Sequence, residues 1–381
     1  MESLPKKTVK ILVYIFLVFG IISPIQAQKK SNPYRNLIIG TYTKPGKSQG
    51  IYVYKFNTLT GNFSKKAEAD GVDNPSYLTL SANHKFVYAV NETVPGKVSA
   101  FTFDSKTGQL GFLDQVNSGG DNPCYISVDA QNRFAFIANY SGGSLSAIPI
   151  LKNGSLSSDI QTIQHFGKGV DTSRQEKAHV HMTYLSPDQK ILLATDLGTD
   201  SINVYRIDYS HHSPLSFIAS HGIRVEPGMG PRHLAFGPKG KFLYLVQELK
   251  AQINVYAYNQ GGFQLKQTIG MEKSDFTGKV GAADIHVSAD GKFLYASDRG
   301  EANDIVIYSI LSQGKLKRIG RTSVLGKSPR NFTLDPSGRF LLVANQNSDD
   351  IILFKRNKIT GLLSPTGKKI EVGSPVCLKF D

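Results

Sequence analysis

The chain has 381 residues, 40% apolar and 19% charged, with 36 glycines, 17 prolines and no tryptophan. That balance belongs to an ordinary globular protein rather than a disordered chain. The formal charge of +14 is spread thinly, with Lys29-Lys30, Lys65-Lys66 and Lys368-Lys369 as isolated pairs and no basic helix, which argues against nucleic acid as a partner.

The first element is an export signal. Lys6, Lys7 and Lys10 precede an apolar run from Ile11 to Ile22, followed by Ser23-Pro-Ile-Gln-Ala27. This pattern predicts a secretory signal over residues 1–27, cleaved after Ala27, with an uncleaved anchor as the alternative. The run is short for a membrane span, and no cysteine at the cleavage site indicates lipidation. The expected product is exported and not inserted in a membrane. Residues 28–35 read as a linker and 36–381 as the folded domain.

Within that domain a motif recurs seven times with a period just under fifty residues. Its clearest copy is Asn74-Pro-Ser-Tyr-Leu-Thr-Leu-Ser81, a polar turn, then Phe86-Val-Tyr-Ala-Val-Asn91-Glu92. The equivalents of Pro75 are Pro123, Val180, Pro231, Ala282, Pro329 and Pro375. Each copy reads as four strands: the segment after the proline, the apolar run after the turn, an alternating third such as Ile253-Asn-Val-Tyr-Ala257, and a polar outer edge. Four-stranded units repeated around an axis predict an all-β, seven-bladed β-propeller. The lack of tryptophan argues against propeller families built on tryptophan-bearing blade motifs.

The seventh copy is cut short at Asp381. Its missing strands stand at the other end, Asn36–Thr41 and Gly50–Phe56, so the C-terminal strand is expected to join N-terminal strands and close the ring. Cys124 and Cys377 fall in the second and seventh copies and read as two buried thiols.

Antiparallel pairing puts the start of each first strand beside the end of each second strand, at one end of the channel. Those positions gather Arg, His, Asp, Glu and Asn, whereas the opposite turns carry ordinary Pro, Asp, Gly and Lys. His181, Arg232, Glu248 and Arg299 form one arc there. An imidazole beside guanidiniums and a carboxylate offers proton transfer next to fixed positive charge; a salt-bridge ring that stiffens the channel is the alternative. His179 and His181 also form a His-x-His pair, with His233, Asp284 and His286 as further ligand candidates. The neighbouring guanidiniums would repel a cation, so a site without metal or cofactor is expected. Residues 167–177 form a long polar stretch suited to covering the mouth. His84, His211 and His212 fall in turns or loops and are expected to have no role.

These residues resemble the seven-bladed propeller lactonases, which include the bacterial propeller-type 6-phosphogluconolactonases and the fungal carboxy-muconate cyclases. The matching motifs are Ile39-Gly-Thr-Tyr-Thr43, Ala178-His-Val-His181, Asp196-Leu-Gly-Thr-Asp200, Gly230-Pro-Arg-His233, Gln247-Glu-Leu249, Ala283-Asp-Ile-His286, Ser297-Asp-Arg-Gly300 and Ser328-Pro-Arg-Asn331. The resemblance implies a catalytic set of His181 (or His179), Arg232, Glu248 and Arg299, the same arc as above. His179, His233, Asp284, His286, Asp298, Arg330 and Asn331 are the expected substrate contacts. The implied reaction is hydrolysis of a sugar lactone, 6-phosphogluconolactonase-like. A lactonising isomerase and a non-catalytic exported binding propeller are the rivals. The family's usual Asn-Arg-Gly is Asp298-Arg-Gly here, which is expected to weaken the pull of Arg299 on an anion.

Overall fold

The computed structural model describes residues 1–5, 8, 32–44, 46–259 and 262–381. The apolar run and cleavage site of the expected signal lie outside the described residues, as do residues 28–31 of the expected linker. Among the described residues no helix is long and apolar enough to cross a membrane.

The building unit is a hairpin. Each inner strand turns back into an apolar second strand through a residue with positive φ, and six equivalent positions hold His84, Asn132, Gln189, Gly240, Gly291 and Gly338. The N–H of each donates to the carbonyl three residues earlier, so His84 fills a turn position rather than a site. Third and fourth strands follow antiparallel, giving seven separate sheets over residues 33–381 among the described residues. The inner strands, from Tyr77–Leu80 through Pro329–Leu334 to Pro375–Phe380, contact one another in chain order, and the last contacts the first. That is the seven-bladed ring the repeat predicts.

Closure also follows the split repeat. Pro375–Phe380 pairs with Tyr34–Thr41, which pairs with Gly50–Asn57 and then Phe63–Asp70. The Asp381 carboxylate accepts from the backbone N–H of Asn36 at 2.8 Å and from its amide at 2.6 Å. The first strand begins at Tyr34, two residues before the expected boundary. Tyr34 and Arg35 pair with Asn57 and Phe56, and the Lys55 ammonium lies 4.0 Å over the Tyr34 ring.

Blades lock through their second strands. The hydroxyls of Tyr88, Tyr244 and Tyr295 donate to the carbonyls of Gly154, Gly314 and Gly361 of the following blade. These tyrosines are almost fully buried, and the bond satisfies a hydroxyl that would otherwise be desolvated without a partner. Blade three departs from the pattern. Its outer edge is broken into Leu215–Phe217 and Ile223–Arg224, both paired with Ser201–Ile207.

Candidate active site

Two rings of equivalent positions meet at one end of the inner strands. The first arises from a repeated irregularity in pairing. In blades two, three, four, six and seven the register skips Cys124, His181, Arg232, Arg330 and Val376; in blade five it skips Ala283 and Asp284. An extra residue of this kind bends the strand and re-aims a side chain. Cys124, His181, Arg232, Arg330 and Val376, with Ser76 of blade one, line a cavity of about 10 Å³.

The second ring is the residue just past each second strand: Tyr42, Glu92, Tyr140, Leu197, Glu248, Arg299 and Gln346. The backbone N–H of each donates to the carbonyl just ahead of its own blade's inner strand, from Asn74 in blade one to Ser374 in blade seven. The two rings therefore lie side by side at one channel end, where the hairpin argument puts them.

Glu248 organises the charges. It is 2% exposed and accepts from Arg232 Nε at 2.8 Å, Arg299 Nη2 at 2.9 Å and Arg174 Nη2 at 2.5 Å. Burial alone would raise its pKa, but Arg299, Arg232 and Arg174 outweigh burial and hold the carboxyl well below the usual range. Arg232 is 1% exposed and also donates Nη1 to the Ala283 carbonyl at 2.5 Å. Burial, then the like charge of Arg299, lowers it to about 10, so it stays protonated at neutral pH. Opposite, Tyr42 Oη donates to Glu92 Oε2 at 2.8 Å, and Arg330 lies 3.9 Å from the same oxygen. Arg174, Arg232 and Arg299 thus converge on Glu248 and Arg330 approaches Glu92, and of the four Arg232 and Arg330 line the cavity.

The histidines divide into three settings. His179 lies on the rim, its ring stacked on Tyr140 at 4.5 Å and bonded to Glu176 Oε1 and the Tyr140 carbonyl. His181 lines the cavity; burial first, then Arg232, holds its pKa well below the ordinary value. The skip at His181 breaks the alternation that would put the pair on one face. Among the described residues no three His, Cys, Asp or Glu side chains converge as a metal site. His233 also lines the cavity and donates Nδ1–H to Asp284 Oδ1 at 2.8 Å. Asp284 Oδ2 accepts from His286 Nε2 at 2.9 Å and from the Asn331 amide at 2.5 Å. Burial would raise Asp284, but His286 and His233 keep it well below the usual carboxylate range.

The structure thus brings together His181, Arg232, Glu248, Arg299, His233, Asp284, Arg330 and Asn331, with His179 at the rim. His286 does not reach the mouth. It lines a second cavity of about 250 Å³, beyond Asp284 and the stacked pair Tyr77–Tyr125. Asp298 is also elsewhere. Its Oδ1 accepts from the N–H groups of Gly281 and Gly300 at 3.0 and 2.6 Å, while Arg299 turns the other way to Glu248. Among the described residues Arg299 forms its ion pair with Glu248 and none with Asp298.

The sequence reading puts Glu92 and Tyr140 at this channel end without giving them a role, and it missed Arg174 and Tyr42. Arg174 comes from the polar stretch expected to cover the mouth, and its guanidinium also contacts Tyr140 Oη at 3.3 Å. Gly198 lets that stretch approach, since a Cβ there would collide with the Lys177 carbonyl. Asp196 shapes the same corner, accepting from the N–H groups of His179, Gly198 and Thr199.

The whole domain matches the family described as "Lactonase, 7-bladed beta-propeller" over residues 36–380. The chain belongs to this lactonase family. It is 37% identical to the 6-phosphogluconolactonase of Formosa agariphila, over 90% of this chain and 99% of that one. The 6-phosphogluconolactonase of Bacillus subtilis is 35% identical over 90% of this chain and 97% of its own. Among solved structures, the periplasmic gluconolactonase of Pseudomonas aeruginosa superposes with a TM-score of 0.85 at 37% identity. That match covers 91% of this chain and 99% of the other.

Proposed function

We propose that this member of the lactonase family hydrolyses a sugar lactone at the arginine-lined mouth, in a 6-phosphogluconolactonase-like reaction. The observation that carries the reading is that Arg232, Arg330 and two imidazoles line one cavity, with Arg299 and Arg174 held beside it on the same Glu248 carboxylate as Arg232. Lactone opening builds negative charge on the carbonyl oxygen, and donors fixed beforehand by a buried carboxylate stabilise it without reorganising. Glu248 does that fixing for Arg232, Arg299 and Arg174. The side chains of Arg299 and Arg330 are 20% and 16% exposed, so they are open to a substrate oxyanion, carboxylate or phosphate. An imidazole at the floor takes the proton from water. The names of the Formosa and Bacillus relatives support the reaction class.

The test is pH-indicator hydrolysis of glucono-, galactono- and 6-phosphogluconolactone by residues 28–381, each corrected for spontaneous opening. Wild-type turnover that falls at least 100-fold in kcat/KM in R299A supports the reading, a loss of the size seen for a single oxyanion donor. Turnover unchanged in R299A, or none on any lactone, refutes it.

We also propose that the protein acts outside the cytoplasm. The charged, apolar and small-residue blocks of residues 1–27 support this, and the Pseudomonas relative described as periplasmic fits it. Cell fractionation with N-terminal sequencing tests the proposal: a periplasmic chain beginning at Gln28 is expected, and a cytosolic chain beginning at Met1 refutes it.

A further inference from the structure

Three features meet at the floor of the mouth. The cavity there, about 10 Å³, is close to the least that admits one water. Ser76 lines it, is 3% exposed, and its Oγ has no hydrogen-bond partner in the protein. A buried hydroxyl without a partner is costly, so a polar molecule of water size fits both the volume and the chemistry. The third feature is His233. The Asp284 carboxylate can only accept, so His233 Nδ1 carries the proton and Nε2 is the accepting nitrogen, which takes a long hydrogen bond from Arg232 Nη1 that a water at Nε2 would have to share or displace. Nε2 lies 3.4 Å from Arg232 Nη1, on the side of the ring away from Asp284.

His181 borders the same cavity but differs in one respect. The side-chain contact of its Nδ1 is Cys124 Sγ at 3.9 Å, a thiol that burial keeps protonated. It has no carboxylate to fix its tautomer or to balance an imidazolium. Asp284 does both for His233, and is itself held by Asn331, His286 and the backbone N–H of Ile285 at 3.0 Å.

We infer that the attacking water sits in this cavity on Ser76 Oγ, and that the His233–Asp284 pair, not His181, takes its proton. The inference rests on the lactonase reading and names the groups that perform it. A water O–H proton passes to His233 Nε2 as its oxygen bonds to the lactone carbonyl carbon. The carbonyl π pair moves onto its oxygen, facing the guanidiniums. The tetrahedral species then collapses, the ring C–O bond breaks, and the ring oxygen takes the proton back from His233. The product is the open hydroxy acid, which ionises to its carboxylate. Burial, then Arg232, lowers the His233 pKa to about 4 against the pull of Asp284, so the imidazole is neutral and able to accept a proton at neutral pH.

The experiment measures kcat and KM for residues 28–381 as wild type, H233G, H181G and D284N, each with and without free imidazole, on the lactone opened fastest. H233G is expected to lose at least 100-fold in kcat, the usual span for a general base, with KM within about threefold. Imidazole filling the space left should restore part of it. D284N should lose at least 10-fold in kcat without rescue. Rescue of H181G but not H233G overturns the inference, as does kcat within threefold of wild type in H233G or D284N. If H233G does not fold, H233Q and D284N carry the same kcat-against-KM comparison. A wild-type chain that opens no lactone refutes the lactonase reading itself and removes this inference with it.

Discussion

Asp298 offers a test of the electrostatics that needs no substrate. It is fully buried, and while Oδ1 takes two backbone N–H groups, Oδ2 has no donor. Glu272 lies beside it, and Arg321 bonds both Glu272 and Asp304. Burial, and then the Glu272 charge, raise the Asp298 pKa to about 6. Its value in the unfolded chain is near 3.8. As pH rises through that window the unfolded chain releases the proton while the folded chain keeps it, so stability falls with rising pH. At about 1.4 kcal/mol per pH unit, the cost approaches roughly 3 kcal/mol above pH 6.

D298N removes that cost. Its carbonyl oxygen can still accept from Gly281 and Gly300, and its amide can donate to Glu272 beside Arg321. The variant should match wild type near pH 4 and exceed it by about 2–3 kcal/mol at pH 7–8. With about 2.1 cal/mol/K of unfolding entropy per residue over residues 33–381, the Tm should rise by about 3–4 °C. Thermal melts of both proteins from pH 4 to pH 8 measure this. A difference that does not change with pH refutes the reasoning, as does a variant less stable than wild type at pH 8.

Three further outcomes follow from other parts of the structure. E248Q leaves three guanidiniums without their partner and should cost about 3–5 kcal/mol in urea unfolding. Because the folded Glu248 pKa is depressed, that contribution is present at neutral pH and is lost only as pH falls below the ordinary glutamate range, so the gap to wild type should persist at pH 5. Cys124 and Cys377 are buried free thiols, and burial pushes Cys377 up to about 11; a thiol reagent should label neither in the native protein and both after denaturation. Ending the chain at Gly373 removes the strand that pairs with Tyr34–Thr41 and should abolish the cooperative melt followed by circular dichroism.

Much of this was legible because a propeller repeats its solution. The turn at His84, Asn132 and Gly291, and the apolar run after it, recur at a spacing that only stacked hairpins satisfy. From hairpin geometry alone, Arg232, Glu248 and Arg299 fall at one channel end, and the structure joins them by direct ion pairs. The misses have separate physical causes. Tyr42 is the second-strand exit of the split blade, so its place in the ring depends on a pairing between chain ends. Arg174 sits in a stretch with no period, where only the fold decides what the side chain reaches. The division between His179 and His181 turns on register. A strand without irregularity puts i and i+2 on one face, but the skipped residue at His181 breaks that count while leaving the apolar pattern downstream unchanged. The same one-residue skip recurs in five blades, at the very residues that line the cavity, and blade five carries a two-residue version. An interruption of the sheet that costs pairing in nearly every blade is explained if its product is a floor of side chains turned out of the ladder and toward one point.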